Sequence, residues 1–303
     1  MSIGLPWLVA NPFSAVIMNV NIEICNAFNT HAHQYERAAV VQQEIGERLF
    51  ERLDYFKKKP MTILDLGCGP GGFSKKLKKQ YPRAMVIGFD LAIDMLKQAQ
   101  SKQKWFQKWP LVAGDMANLP FAMGAFDLIF ANQVLHWSLS IPSVLRELNR
   151  IMKPDACLIF STLGPDTFQE IRHAWARVDN YSHTNDFIDM HEMGDHLMAQ
   201  HFLDPVVDMD MLTIHYPSLS QLLQALKAQG VRNVNHARNP GLTGKRVRQD
   251  FEKEITQFKT VDGKFPLTYE VVYGHAWKGN QYYTNKGTET MISVDQLRKT
   301  IKL

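Results

Sequence analysis

The chain has 303 residues, 45% hydrophobic and 21% charged, with a formal net charge of +4 at pH 7. That is the make-up of a soluble globular protein of one or two domains able to bury a core, and the charge is too small to argue for nucleic acid by itself. The three cysteines, Cys25, Cys68 and Cys157, are widely spaced and odd in number. They exclude a disulfide framework and a zinc pattern, and the expected setting is a reducing cytoplasm.

The chain opens with an apolar run, LPWLVANPFSAVIM (5–18), that no Lys or Arg precedes, the first basic residue being Arg37. Asn11-Pro12 interrupts it, so it suits neither a signal peptide nor a membrane span of about 20 apolar residues. Residues 1–21 read as a poorly ordered extension, with Met18 a second candidate start. A helix is expected over 26–56, where Ala38, Val41, Ile45, Leu49 and Leu53 repeat at three or four.

A short apolar strand, TILDLG (62–67), runs into glycines. Strands then follow at 84–90, 110–115, 125–132 and 156–160, separated by helical stretches at 73–81, 93–102 and 143–152. Lys153-Pro154-Asp155 is read as the stop of the last of these helices. Alternation of this kind predicts right-handed crossovers and a doubly wound sheet. Beyond 161 the pattern changes to helices at 166–178 and 190–201, a strand at 205–216, a helix at 218–230, a basic stretch and a β-rich run at 266–277. The residues from Gly279 are polar and read as a tail, and no internal repeat or low-complexity segment is present.

The strongest local signal is LDLGCGPGG (64–72), at the strand-to-helix turn. Gly67, Gly69 and Gly71 allow a tight turn and a close approach to a ligand. The carboxylate of Asp65 before them favours a cation and would repel the pyrophosphate that a dinucleotide turn binds. Asp90, with Leu91 after it, ends the second strand, 19 residues after Gly71, where a carboxylate can accept both hydroxyls of a ribose. Asp115 ends the third strand and can accept from an adenine amino group, with Met116 packing on the ring; Asn132 closes the fourth. Any one of these acids could be a turn or capping residue. As an ordered set along the carboxyl edge of a sheet they point to a nucleoside ligand.

This order of motifs resembles the class I S-adenosylmethionine-dependent methyltransferases over about residues 60–160. The resemblance implies an α/β, Rossmann-like, mostly parallel seven-stranded sheet with helical insertions that form an acceptor cap. It implies S-adenosylmethionine as cofactor, its amino-acid part at Gly67 and Gly69, its ribose at Asp90 and its adenine at Asp115, with Asp65 an indirect contact.

The flanks are more specific. AFNTHAHQYERAA (27–39), VLHW (134–137), FSTLGPDTFQEIRHAW (160–175), LKAQGVRNVNHAR (226–238) and FPLTYEVVYGHAWK (265–278) together resemble the malonyl-[acyl-carrier protein] O-methyltransferases, the BioC family of biotin synthesis. A second family, arginine-hydroxylating assembly factors on the same fold, shares several of these pieces. A related methyltransferase with another acid or a protein side chain as acceptor, or a cofactor-binding assembly protein without transferase activity, stays open as an alternative. The first resemblance implies one domain over 22–278, its cofactor core at about 60–160 and acceptor-side helices at about 22–56, 165–201 and 217–260, followed by the tail 279–303.

The implied acceptor is the free carboxyl of a malonyl thioester on acyl-carrier protein, with no nucleic acid and no membrane as partner. A carboxylate with pKa near ~4 is already ionised at neutral pH, so no general base is expected. Arg172 is the first candidate to hold it, because a guanidinium grips a carboxylate with two parallel bonds. Tyr35 and Trp137 are candidate walls of the acceptor site. Arg232, Arg238, Lys245, Arg246 and Arg248 form a candidate docking patch for an acidic carrier. No metal is expected: in HEMGDH (191–196) the histidines stand five apart and share no helical face.

Overall fold

Five apolar runs ending at polar or glycine residues become five parallel strands, because helices from both faces cover them. The structure, a computed structural model, describes residues 12–105, 107–229, 233, 235, 238, 241, 244–279, 282–284 and 287–289. Strands β1 (Thr62–Leu66), β2 (Met85–Asp90), β3 (Leu111–Ala113), β4 (Phe126–Asn132) and β5 (Met152–Leu163) are joined by β6 (Phe202–Tyr216) and β7 (Phe265–Lys278). They form one seven-stranded sheet in the order 3-2-1-4-5-7-6. Only β7 runs antiparallel to its neighbours β5 and β6. The order reverses between β1 and β4, the place where open α/β sheets bind ligands.

Helices α4 (Gly72–Gln80), α5 (Ile93–Ser101) and α6 (Ile141–Ile151) make the crossovers of the parallel half. In α6, Val144, Leu145, Leu148 and Ile151 are buried at helical spacing against the sheet. Lys153-Pro154-Asp155 is not a loop: α6 passes directly into β5, and the pairing with β4 slips between Met152 and Cys157. The slip is anchored at Asp127, which accepts from Thr62 N at 2.8 Å and from Lys153 Nζ at 3.0 Å.

The N-terminal region departs from the sequence expectation twice. Residues 12–21 belong to α1 (Pro12–His31) rather than to an unstructured extension; residues 1–11 lie outside the described residues. The long helix expected over 26–56 is three, α1, α2 (Tyr35–Ala38) and α3 (Val40–Glu51). The breaks fall at Ala39 and at residues 32–34, a turn that no glycine or proline marks and that lets Tyr35 face inward. α3 sits close against α4 and the end of β4 because residue 46 is glycine: a Cβ there would stand 2.2 Å from the Phe73 ring and 2.7 Å from Asn132 Nδ2.

The second half adds α7 (Gln169–Trp175), α8 (Met190–Ala199), α9 (Leu219–Ala228) and α10 (Lys245–Thr256). Within the region read as a polar tail, β8 (Tyr282–Thr284) and β9 (Gly287–Glu289) pair as a small antiparallel hairpin. No helix among the described residues is long and apolar enough to cross a membrane.

Candidate active site: two cavities with a common wall

The turn after β1 is built by φ angles that side chains avoid: +68° at Gly67, +50° at Gly69 and +78° at Gly71. A Cβ at Gly67 would lie 2.5 Å from Val134, while one at Gly69 would meet nothing within 4 Å and would enter the open space beside the turn. The turn is fixed to β2 by Gly67 N and Cys68 N, which both donate to Phe89 O at 2.8 and 3.0 Å. Gly69 N donates to Asp90 Oδ2, and Ala92 N to Asp90 Oδ1, each at 2.8 Å. Each oxygen of Asp90 therefore keeps a lone pair for a ligand. Burial pushes the Asp90 carboxyl above the usual range, and its backbone donors oppose that. Asp65 is 2% exposed and accepts from Ser74 Oγ at 2.5 Å. Burial first, and the nearby Asp90 charge, push its pKa up to about 7.

Asp115 lies in the turn after β3, not in the strand, and accepts from Ala117 N at 2.9 Å. Its other oxygen accepts from Asn21 Nδ2 of α1 at 2.8 Å. Gly67, Gly69, Asp90, Leu91, Asp115, Met116 and Asn132 line one cleft with Asn21, Ile24 and Phe28 of α1 as its cover. Asp65 stands behind it, beside the glycine turn. Asn132 is occupied at both ends, donating to Gln42 O at 3.1 Å and accepting from Ser161 Oγ at 2.8 Å, so it holds α3 and β5 together.

A second cavity adjoins the first. Phe28, Tyr35, Gln133 and Trp137 face both. Phe28 meets Trp137 and Tyr35 edge-on, with ring centroids 5.2 and 6.1 Å apart. Gln133 adopts φ +54°, which a non-glycine residue rarely does, and is held by bonds from its backbone N to Ser161 O and Oγ, both at 3.0 Å. The far side of this cavity comes from Gln42 of α3, Phe168, Asn185 and Phe187, Gln229 after α9 and Tyr269 of β7. Phe168 reaches it through the loop 164–168. That loop is tied to β7 by Asp166 N on Glu270 Oε2 at 2.6 Å and Phe168 N on Thr268 O at 2.7 Å.

The cofactor-side residues named from the sequence, and both proposed walls, thus come together. The charged candidates do not. Arg172 lines neither cavity; its Nη1 donates to Thr167 O at 2.9 Å and braces the loop before α7. Arg238 pairs through both terminal nitrogens with Glu23 of α1, at 2.8 and 2.9 Å, and so ties the cover down. Arg248 pairs with Glu252 on its own helix, whereas Lys245 and Arg246 are exposed at the start of α10; Arg232 lies outside the described residues. In HEMGDH, His191 bonds the Asp189 cap of α8 and His196 faces Glu192. Among the described residues no group of three or more His, Cys, Asp or Glu could hold a metal ion. Asn21, Gln42, Gln133, Asn185, Gln229 and Tyr269 escaped the sequence reading. Tyr269 and Gln229 had a signal, as parts of the FPLTYEVVYGHAWK and LKAQGVRNVNHAR pieces.

The sheet order, the reversal of β7 and the acids ranged along the carboxyl edge define a class I methyltransferase fold. A family model for methyltransferase domains matches residues 64–160. A solved protein structure from Bacillus halodurans superposes with a TM-score of 0.55 at 18% identity, covering 77% of this chain and 99% of that one. The chain is 58% identical over 282 residues to the malonyl-[acyl-carrier protein] O-methyltransferase of Legionella pneumophila, covering 93% of this chain and 99% of the relative. It is 42% identical over 263 residues to the protein of the same name from Gallionella capsiferriformans, covering 83% and 89%. The chain belongs to the malonyl-[acyl-carrier protein] O-methyltransferase family and is an S-adenosylmethionine-dependent methyltransferase.

Proposed function

We propose that the chain binds S-adenosylmethionine in the first cleft and methylates the free carboxyl of a malonyl thioester on acyl-carrier protein, whose malonyl end enters the second cavity. The methyl ester hides a charge, and its use as the primer for biotin synthesis is carried by the family resemblance. The observation that carries the reading is the pair of cavities with a common wall. One has acids and a glycine cradle for a nucleoside and an amino-acid group, and the other has neutral walls.

The residues suit the cofactor. The space that a Cβ at Gly69 would fill lies open beside the turn, and the buried carboxylate of Asp65 favours a cationic amino group there. Asp90 keeps acceptor capacity for two hydroxyls, and Asp115 with Leu91 and Met116 suits adenine. Bound S-adenosylmethionine supplies a methyl group on a cationic sulfonium; the O–C bond to the carboxylate forms as the S–C bond breaks, the electron pair stays on sulfur, and no proton moves.

The chain's own work is then positioning, where effective molarity can supply roughly 7–11 kcal/mol. Phe28, Tyr35, Gln133 and Trp137 align the two reactants and exclude water. Burial and the Asp90 charge push the Tyr35 hydroxyl well up, so it stays protonated and serves as a wall rather than a base. Neutral walls leave the attraction between carboxylate and cation little screened. The test is to incubate the protein with S-adenosylmethionine and malonyl-carrier protein and weigh the carrier. A gain of one methyl per carrier is expected; an unmodified carrier with the cofactor bound would overturn the reading.

A further inference from the structure

The second cavity has no formal charge on its walls. Its polar groups include the amides of Gln42, Gln133, Asn185 and Gln229, the Tyr35 and Tyr269 hydroxyls, the Trp137 indole N–H and the His136 ring. Burial keeps that ring neutral, pushing its pKa down to about 3. Arg172 is engaged elsewhere, on Thr167 O. An anionic acceptor entering this space meets neutral donors.

Gln42 stands where that cavity meets the space beside the glycine turn, and lines both. Its backbone is fixed by the bond from Asn132 Nδ2 to its carbonyl. Its side-chain Nε2 donates to Gln229 Oε1 at 3.1 Å, and the same oxygen accepts from the Tyr269 hydroxyl at 3.4 Å. Gln229 and Tyr269 are 2% and 1% exposed, so water does not serve this chain of bonds. Gln42 Oε1 is buried and has no partner. A buried polar atom left unpaired is costly unless a ligand answers it. Amide oxygen and nitrogen have nearly the same shape. With both amides turned over, Gln229 Nε2 donates to Gln42 Oε1 and to the Tyr269 oxygen, and every link survives. The unanswered atom of Gln42 is then an N–H donor.

We propose that Gln42, oriented by Gln229 and Tyr269, holds one oxygen of the acceptor's free carboxylate and leaves the other to take the methyl group. The inference rests on the carboxylate reading above and makes Gln42 the residue that selects a thioester ending in a carboxylate. A neutral donor fits this task better than a guanidinium, whose grip on both oxygens would stabilise the ground state and weaken the nucleophile.

Gln42→Leu and Gln42→Glu test it, with methylation of malonyl-carrier protein and inhibition by acetyl-carrier protein, which lacks the carboxylate, as readouts. The wild type should prefer malonyl- over acetyl-carrier. In Gln42→Leu the KM for malonyl-carrier should rise about ten- to hundred-fold and that preference should fall by the same factor, a larger change than any in S-adenosylhomocysteine affinity, since Gln42 also lines the space beside the glycine turn. Gln42→Glu keeps the shape and sets like charges together, so it should lose more. If Gln42→Leu also loses cofactor affinity, the preference ratio of Gln42→Glu decides. Unchanged KM and preference in a variant that still binds cofactor would overturn the assignment of Gln42. A wild type that never methylates malonyl-carrier would instead overturn the reading beneath it.

Discussion

The two cavities share a wall but are built in opposite ways. The first cleft, proposed for the cofactor, is made by the backbone: three left-handed glycines, and acids at the ends of successive strands whose positions the sheet dictates. The second cavity, proposed for the acceptor, is made by side chains from α1, α3, the 185–187 segment, the residue after α9 and β7, elements far apart in sequence. A site of the first kind has little room to vary, since a Cβ at Gly67 would strike Val134. A site of the second kind can change its acceptor by exchanging side chains on a fixed frame, which is how one fold serves many substrates.

The sharpest way to separate the two is to break the first alone. Asp90→Ala removes the acceptor of two backbone donors and of the expected ribose hydroxyls. It should weaken S-adenosylhomocysteine binding about 100-fold or more, measured calorimetrically, through loss of charged hydrogen bonds of about 1.5–3 kcal/mol each. Trp137→Ala opens the common wall instead. It should raise KM for cofactor and carrier together, each about ten-fold by steady-state kinetics; a change in only one would show that the wall is not shared.

That difference also explains what the sequence could tell. Gly67 and Gly69 were legible because their φ angles favour glycine, and Asp90 and Asp115 because they stand at or just after the ends of successive strands. The N-terminal cover was not: Asn21 reaches Asp115 from a helix whose first residues read as an extension, since hydropathy alone does not separate a helix that lies over a cleft from a loose apolar run. Arg172 and Arg238 were chosen on charge, yet a guanidinium carries five donors and is as easily used by a carbonyl or a nearby glutamate. Gln42, Gln133 and Gln229 have no spacing that marks them, because amides become a site only once the chain folds.

Asp65 links binding to stability, and the sign can be worked out. Its folded pKa of about 7 lies above its unfolded value, so the folded state keeps a proton that the unfolded chain releases. The stability this proton gives is present below about pH 4 and is lost as pH rises to about 7. Asp65→Asn should therefore melt several degrees higher than wild type without ligand above pH 7, and not differ near about pH 4. It should also bind cofactor more weakly, since the charge beside the glycine turn is gone. Calorimetric scans at the two pH values check this.

The smallest effect is expected at the surface. Lys245→Glu with Arg246→Glu, both exposed at the start of α10, should raise KM for the acidic carrier about three-fold at low salt. The difference should fade at high ionic strength. Equal KM values at low salt would remove α10 from the docking surface.

The measurement that bears most directly on methylation of a carboxylate without a base is kcat against pH, with cofactor and malonyl-carrier both saturating. A flat profile from about pH 6 to about pH 8.5 is predicted, because the acceptor is already ionised, neither His136 nor Tyr35 titrates in that range, and Asp65, whose pKa is about 7, acts on cofactor binding, which saturation removes. A limb that rises tenfold per pH unit near neutrality and persists in Asp65→Asn would contradict the account, since it would mean that a proton must leave the acceptor before the methyl group arrives.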